Sequence, residues 1–368
     1  PCLEGVLLRA GVALQLTGYN LETGITVHVG AQIQEAGSCV MPARLFFDIV
    51  RKLPDEMVSI TVDHKQQVSI RAGAAFFQIT AMDSEDYPEL PDVNGKSGVT
   101  MPQSALKAMI SGTIFSVSEN QARPIQTGCL MEVTEDSVTM VAVDSFRLAR
   151  RTWHTENAAN HTLKFVVPAA GLKEIERILE DSDEPVTFTL GDKHILFSIG
   201  DALLVSRVLE GEFIDWRRVV PTNCGTVLTA NVAELTSSIE RVSLIISEKV
   251  KSPVRCVFGD NMADFRTANT IGSAHDTCSI AGNGGELEIG FNCKYLLDAI
   301  RALLPPEDYR LLCRITLEGA THLEVARELG ISVWSSQKRL QRIRKKLCKQ
   351  LLPNKSKKIS ENMSVLRF

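Results

Sequence analysis

PAAGLKEIERIL, at residues 168–179, is helix-like and occurs in two further versions in the same chain. They are PARLFFDIVRKL at 42–53 and NCKYLLDAIRAL at 292–303, whose first residues lie 126 positions before and 124 positions after Pro168. Self-similarity at a fixed period is the signature of a repeated architecture. The chain is therefore predicted to consist of units of about 125 residues, an ordinary size for one domain.

Two other classes of segment recur at a similar period, and only residues 101–221 contain every class. We therefore expect a complete second copy, a first copy that lacks its start and a third copy that lacks its end. The paired segments are LKAMISGTIFSVSEN (106–120) with LTSSIERVSLIISEK (235–249), and SEDYPELP (84–91) with EGEFIDWRRVVP (210–221).

The complete copy alternates helix, strands, helix, strands. Because each sheet buries one face against helices, the predicted fold class is α+β, with helices packed on one sheet face. The predicted domains are 1–96, lacking its first strand and helix; 97–222, complete; 223–304, lacking its final strands; 305–352, a small all-α segment; and 353–368, a basic disordered tail.

The composition indicates a globular chain with no membrane segment and no disulfide framework. Apolar residues make up 44% of its 368 positions, but no apolar run approaches the 18 or so residues that cross a bilayer. The nine cysteines include no CxxC pair, which favours reduced thiols and a cytoplasmic location. No ligand-spaced histidine cluster, paired-carboxylate, Ser-His-Asp, P-loop or dinucleotide pattern occurs. We expect no metal, no cofactor and no enzymatic activity.

The three repeated helices share an acid followed three residues later by an arginine. Such an arginine in each unit suits phosphate contact, which is electrostatic and independent of base sequence. An i,i+3 ion pair that only stabilises each helix explains the same spacing. The pairs are Asp48 with Arg51, Glu174 with Arg177, and Asp298 with Arg301.

Seven motifs in order resemble a known family, the bacterial DNA polymerase III beta subunits or replicative sliding clamps. They are TGYNLETGI (17–25), MDSEDYPELP (82–91), RPIQTG (123–128), AVDSFRLA (142–149), GEFIDWRRVVP (211–221), ERVSLIISEK (240–249) and IGFNCKYLLDAI (289–300).

The resemblance implies a ring of two head-to-tail subunits, each of three similar domains in the DNA-clamp fold, with helices lining a hole around double-stranded DNA. It also implies the function, which is processivity in DNA replication. A non-catalytic clamp holds the DNA polymerase III catalytic subunit, the clamp loader and repair proteins on DNA through a groove that takes a short partner peptide.

The resemblance also implies site residues. The peptide groove would use Val143, Ser145, Phe146, Arg147, Leu148, Ile214, Arg218 and Val219. DNA contacts would come from Arg51, Arg177, Arg301, Asn120, Gln121 and Arg123, and the subunit interface from Leu244 and Ile245. Departures from the family pattern are Ser145-Phe146 in place of Gly-His, Ile214 in place of Pro, and Gln126 where an apolar residue is common. A buried amide requires its own hydrogen-bond partners.

The C-terminal part has a different character. Ten Lys or Arg and no acid lie between Ser336 and Lys358, leaving 30 basic and 44 acidic residues elsewhere. Helical spacing on both sides of a Gly330-Ile331-Ser332 turn makes 306–352 similar to the helix-turn-helix of sigma-factor region 4. DNA contacts would then come from Gln337, Lys338, Arg339 and Arg342. A basic helical hairpin without a binding role is the other interpretation.

Three functional interpretations follow. The first is a sliding clamp. The second is a sigma-like or transcription-regulating protein that acts through the helix-turn-helix. The third is a chimeric gene product, joined at Pro305-Pro306, without full clamp activity. Because the third copy lacks its final strands, an exposed sheet edge is expected, and we predict no stable homodimeric ring from this chain alone.

Overall fold

The computed structural model describes residues 2–54, 57–93, 98–155, 162–246, 252–282, 284–285, 287–302, 321–329, 331–351 and 364–367. They divide into two compact units, Pro1–Phe213 and Ile214–Phe368. No helix in these ranges has both the length and the apolarity that a membrane span requires.

The first unit contains the first two copies of the repeat. Its helices are α1 (Ala43–Val50), α2 (Gln103–Ser111) and α3 (Ala169–Ile178). Its strands are β1 (Gly5–Ala10), β2 (Leu14–Tyr19), β3 (Thr23–Val29), β4 (Gly37–Pro42), β5 (Ser59–Val62), β6 (Gln67–Ala72), β7 (Ala75–Thr80), β8 (Gly98–Pro102), β9 (Gly128–Val133), β10 (Ser137–Val143), β11 (Leu148–His154), β12 (Leu163–Pro168), β13 (Pro185–Leu190), β14 (His194–Ile199) and β15 (Ala202–Arg207).

One sheet joins the two copies. Its eight strands are ordered β4-β1-β2-β3-β15-β14-β13-β8, and the first copy meets the second where β3 pairs antiparallel with β15, with Ile25 opposite Leu204. Smaller sheets have the orders β11-β10-β9-β12 and β5-β6-β7. The division predicted near residue 96 therefore separates sequence copies that share one compact unit, because an edge strand pairs through its backbone whatever its side chains.

The core of the complete copy lies between its sheets and helices. Leu106 and Ile110 on α2, and Leu172 and Ile175 on α3, are fully buried. Each such side chain removed from water contributes about 1.5–3 kcal/mol. The spacing of three or four residues places these side chains on one face of each helix.

The second unit contains the third copy and the C-terminal segment. Its helices are α4 (Trp216–Val219), α5 (Val232–Ser243), α6 (Cys293–Arg301), α7 (His322–Glu328) and α8 (Val333–Leu351). Its strands are β16 (Val227–Ala230), β17 (Val254–Phe258), β18 (Met262–Ala268), β19 (Ser273–Gly282), β20 (Leu287–Phe291) and β21 (Ser364–Arg367), in the sheet order β20-β17-β18-β19-β16-β21.

The three repeated helices occupy equivalent places. α1 follows β4, which pairs with β1; α3 follows β12, which pairs with β9; and α6 follows β20, which pairs with β17. Asn292 caps α6 by accepting a hydrogen bond from the backbone N–H of Lys294 at 3.0 Å, the expected arrangement at a helix start.

The C-terminal segment differs from its prediction in two ways. Val325, Leu340 and Ile343 belong to the same buried core as the third copy, so α7 and α8 do not form a separate domain. Two helices alone are too small to bury a core of their own and pack on the nearest apolar face. In the tail predicted to be disordered, β21 pairs with β16, because the edge of β16 offers unpaired backbone groups. The Pro305-Pro306 junction lies outside the described residues.

Candidate functional site

The turn between β10 and β11 brings together the five groove residues predicted in the first unit. Val143 and Leu148 face each other across the hairpin. Asp144 Oδ1 accepts hydrogen bonds from the backbone N–H of Phe146 at 2.7 Å and of Arg147 at 2.9 Å. An aspartate that bonds the backbone two and three residues ahead fixes a turn.

The same aspartate orients the arginine. Arg147 Nε donates to Asp144 Oδ2 at 2.9 Å, and its guanidinium carbon lies 5.5 Å from the centre of the Phe115 ring. The side chains of the ion pair are largely buried. Phe146, in contrast, is 80% exposed. The turn therefore holds its arginine in place and presents an aromatic ring to solvent.

Two buried polar groups in the segment from residue 116 to residue 126 have no hydrogen-bond partner among the described residues. They are Gln126 Oε1 and Ser116 Oγ. The backbone N–H of Ser118 donates to the carbonyl of Gln126 at 2.8 Å, and Ser116 adjoins Phe115 in the chain. A buried acceptor without a partner costs about 1–3 kcal/mol. The Oε1 atom of Gln126 is buried without a hydrogen-bond partner among the described residues. No feature of the sequence marked Phe115 or Ser116 as a functional residue.

The remaining groove residues belong to the second unit. Trp216 on α4 is buried, and the guanidinium carbon of Arg217 lies 4.4 Å from the centre of its ring. This anchor leaves Arg218 and Val219 exposed. Arg218 Nε donates to Asp215 Oδ2 at 3.0 Å. Exposed pairs of this kind contribute at most about 1 kcal/mol, so the guanidinium can exchange this contact for a ligand. Ile214, just before the helix, is half-buried.

The three matched arginines are exposed but have different neighbours. Arg177 Nη1 donates to Glu174 Oε1 at 2.7 Å, which is the i,i+3 pair that the spacing predicted. Arg301 Nη2 donates to Glu240 on the neighbouring helix α5 at 2.8 Å. The guanidinium carbon of Arg51 lies 5.7 Å from the centre of the Phe47 ring. The i,i+3 ion pair is thus established for Arg177, and Arg301 also bonds a neighbouring helix.

The loop at 119–123 is exposed and ordered by its own hydrogen bonds. Asn120 Oδ1 accepts from the backbone N–H of Ala122 at 3.0 Å, and the backbone N–H of Arg123 donates to the carbonyl of Asn120 at 3.1 Å. The side chains of Asn120, Gln121 and Arg123 all lie at the surface. They form a small polar group suited to phosphate contact.

The predicted interface residues follow α5 in the second unit. Leu244 is 83% exposed. Asn269 Nδ2 donates to the carbonyl of Ile245 at 2.8 Å and fixes the backbone at this point. An exposed apolar side chain on a fixed backbone suits a protein interface.

The four DNA-contacting residues predicted in the C-terminal segment all lie on α8 and differ in exposure. Gln337, Lys338 and Arg342 are exposed, and Arg339 is half-buried. Thr321 and Glu324 form a capping box at the start of α7. Groups of three or more metal-ligating side chains do not occur in the part of the chain that the structure describes.

Family models of the DNA polymerase III beta subunit match almost all of residues 1–307. The N-terminal domain matches residues 1–91, the central domain 100–215 and the C-terminal domain 217–307.

Individual relatives agree with these matches. The beta sliding clamps of Staphylococcus epidermidis and Staphylococcus aureus are each 30% identical over 314 residues, covering 82% of this chain and 83% of the relative. A putative DNA polymerase III beta subunit from Eubacterium rectale has a TM-score of 0.78 at 31% identity, covering 82% of each chain. The Bacillus subtilis sliding clamp has a TM-score of 0.77 at 29% identity, covering 83% of each chain.

Proposed function

The chain belongs to the family of DNA polymerase III beta subunits, the beta sliding clamps, and from this membership we propose how it holds a polymerase on DNA. Members are processivity factors and not catalysts. The resemblance inferred from seven sequence motifs is thus confirmed at the level of the family. The details of partner, DNA and subunit contact below are our proposals.

We propose that partner proteins bind through a short peptide at the β10–β11 turn, and that Arg218 and Val219 of α4 also contact partner proteins. The observation that carries this proposal is the Asp144-locked turn, which exposes Phe146 while holding Arg147. Aromatic and arginine side chains are the residues that most often dominate peptide and protein recognition. The partners would be the DNA polymerase III catalytic subunit, the clamp loader and repair proteins.

Double-stranded DNA is the second proposed ligand. The exposed guanidinium groups of Arg51, Arg177 and Arg301 and the polar loop with Arg123 supply positive charge without a base-reading pattern. This chemistry supports binding that is independent of sequence and allows sliding. Arg177 and Arg301 would exchange carboxylate partners for phosphates.

We propose that Leu244 and Ile245 contact a second subunit in a homodimer. The exposure of Leu244 supports this proposal. The exposed sheet edge and the lack of a stable ring from this chain alone, both expected from the sequence, stay predictions beside this proposal.

The basic helix pair supports a further DNA contact. We propose that α8 binds DNA beside the clamp function, with Gln337, Lys338, Arg339 and Arg342 at the contact. The comparisons do not favour a sigma-like regulator, because their matches concern clamp domains. As a replication factor, the protein would act in the cytoplasm.

A DNA-retention assay tests the clamp function. The clamp loader places the full-length protein on nicked circular plasmid, and gel filtration measures the fraction that stays bound. A clamp remains on the circle and leaves after the circle is cut once. Equal retention on circular and linear DNA, or preference for one short duplex sequence, would contradict the proposal and favour a regulator.

A further inference from the structure

The helix α8 has two faces of opposite character over its described side chains. Ser336, Leu340 and Ile343 are buried, at spacings of four and three residues. On the other side, Trp334 and Lys338 are exposed, as are the residues at 341 and 342. The buried stripe attaches the helix to the core of the second unit. The exposed face is therefore held on a rigid support.

Trp334 is the unusual member of this face. It is 63% exposed, whereas Trp216 is buried. Lys338 Nζ lies 4.1 Å from the centre of the Trp334 ring, one helical turn away. A cation at this distance attracts the π system and orients the indole. The surface thus combines an exposed flat ring with a positive charge beside it.

The positive charge of the helix limits the classes of ligand that its exposed face can bind. The sequence of α8, VWSSQKRLQRIRKKLCKQL, contains seven Lys or Arg and no acid. An acidic peptide would match the charge but not use the flat ring. A membrane surface would need an apolar helix face, and Leu340 and Ile343 are already buried in the protein core. A nucleic acid strand provides both phosphates and flat bases.

The exposed Trp334 ring also favours single-stranded DNA over duplex DNA as the ligand. In a duplex, base faces are stacked on each other and only their edges are accessible in the grooves, where an indole offers one N–H donor. In a single strand the faces are free, and stacking on an aromatic side chain is the usual mode of binding.

We propose that the exposed face of α8 binds single-stranded DNA, with Trp334 stacked on one base and with Lys338 and Arg342 contacting the flanking phosphates. This goes beyond the clamp function, which concerns duplex DNA, and rests only on the proposal that α8 contacts DNA.

Binding of a fluorescein-labelled oligo-dT of about 12 nucleotides to the full-length protein tests the proposal. Trp334→Ala is expected to weaken binding about tenfold, the effect of losing one stacked base. Trp334→Phe keeps a stacking ring and retains most of the affinity, but abolishes the quenching of tryptophan fluorescence on binding. Leu323→Ala, at an exposed apolar residue of α7, is the matched control and should bind as the wild type does.

A duplex of equal length and the retention assay complete the test. The proposal predicts that Trp334→Ala changes duplex binding less than twofold and leaves retention on nicked circles unchanged. Unchanged binding of Trp334→Ala to the single strand would overturn the stacking role. Equal losses for single strand and duplex would instead assign α8 to general DNA contact, and no binding of either would refute both proposals for α8. Lack of retention of the wild-type protein, with its binding to the single strand intact, would count against the clamp proposal only.

Discussion

Asp144 holds Arg147 twice, through the backbone N–H and through Nε of the side chain, both at 2.9 Å. The carboxylate also accepts from the backbone of Phe146. One side chain therefore determines the conformation of the turn that presents the exposed ring.

Replacing Asp144 by alanine should release this turn. We expect binding of a labelled partner peptide to weaken about tenfold, since the contact residues are no longer preorganised, while the free energy of unfolding falls by about 1–2 kcal/mol. Fluorescence anisotropy and urea unfolding measure the two effects. Asp136→Ala is the control, because Asp136 accepts hydrogen bonds from Thr134 and Ser137 in the turn at the other end of β10. Equal loss of peptide binding in both variants would contradict a specific role for Asp144.

Two buried glutamines of the first unit should respond oppositely to leucine. Gln126 Oε1 has no hydrogen-bond partner in the described structure, whereas Gln103 Oε1 accepts from the backbone N–H of Glu180 at 2.9 Å. Gln126→Leu is expected to raise the free energy of unfolding by about 1 kcal/mol and Gln103→Leu to lower it by about 1–2 kcal/mol. Chemical denaturation followed by circular dichroism measures both. Destabilisation of the same size in both variants would show that Gln126 has a partner.

Thiol reactivity should separate the cysteines by burial. Burial raises the pKa of Cys129, Cys256 and Cys278 to about 12, while Cys224 is exposed. Only the thiolate reacts, so at pH 8 a disulfide reagent such as DTNB should modify Cys224 quickly and the three buried thiols only after unfolding. Cys224→Ser should remove about one fast-reacting thiol. Fast reaction of the buried three in the folded protein would be the contrary result.

The second unit should lose stability in acid through Asp264. Its carboxylate accepts from Arg266 Nε at 2.6 Å and lies 2.7 Å from His275 Nε2. The hydrogen bond from Arg266 is the main cause that lowers the pKa of Asp264 below its ordinary value of 3.8. A lowered folded-state pKa gives stability that is present above the unfolded value and is lost as pH falls through the folded value.

Urea unfolding of wild type and Asp264→Asn across pH 7 to 2 checks this. The wild type should be more stable at pH 5 and above, and the difference should shrink as pH falls below about 4. A difference that stays constant down to pH 2 would rule out the Asp264 carboxylate as its source.

The three matched arginines should contribute to DNA binding through their positive charge. Replacing Arg51, Arg177 and Arg301 together by glutamine should reduce retention on circular DNA and lower the slope of log affinity against log salt by about 0.9 for each lost phosphate contact. Arg255→Gln is the control, since Arg255 is an exposed arginine of β17 that pairs with Glu288 at 2.6 Å. An unchanged salt slope in the triple variant would leave these residues with a structural role alone.

The repeat, the helices at its three matched segments and the family are all evident from the amino-acid sequence. Periodic apolar positions, turn residues and ordered motifs are local properties, and local spacing is enough to identify them. The sequence also located the turn at 143–148, because a short polar loop between two strand-like runs has few possible structures.

Which distant groups meet depends on the tertiary fold. In the fold, β3 pairs with β15, Arg301 bonds Glu240, and α7 and α8 pack into the core of the third copy. Among the described residues, the buried Gln126 Oε1 has no partner. These outcomes depend on which backbone edges and apolar faces remain uncovered once the chain has folded. Residue spacing does not encode that, because strand edges pair through backbone groups common to all residues and buried faces accept any side chains of suitable volume.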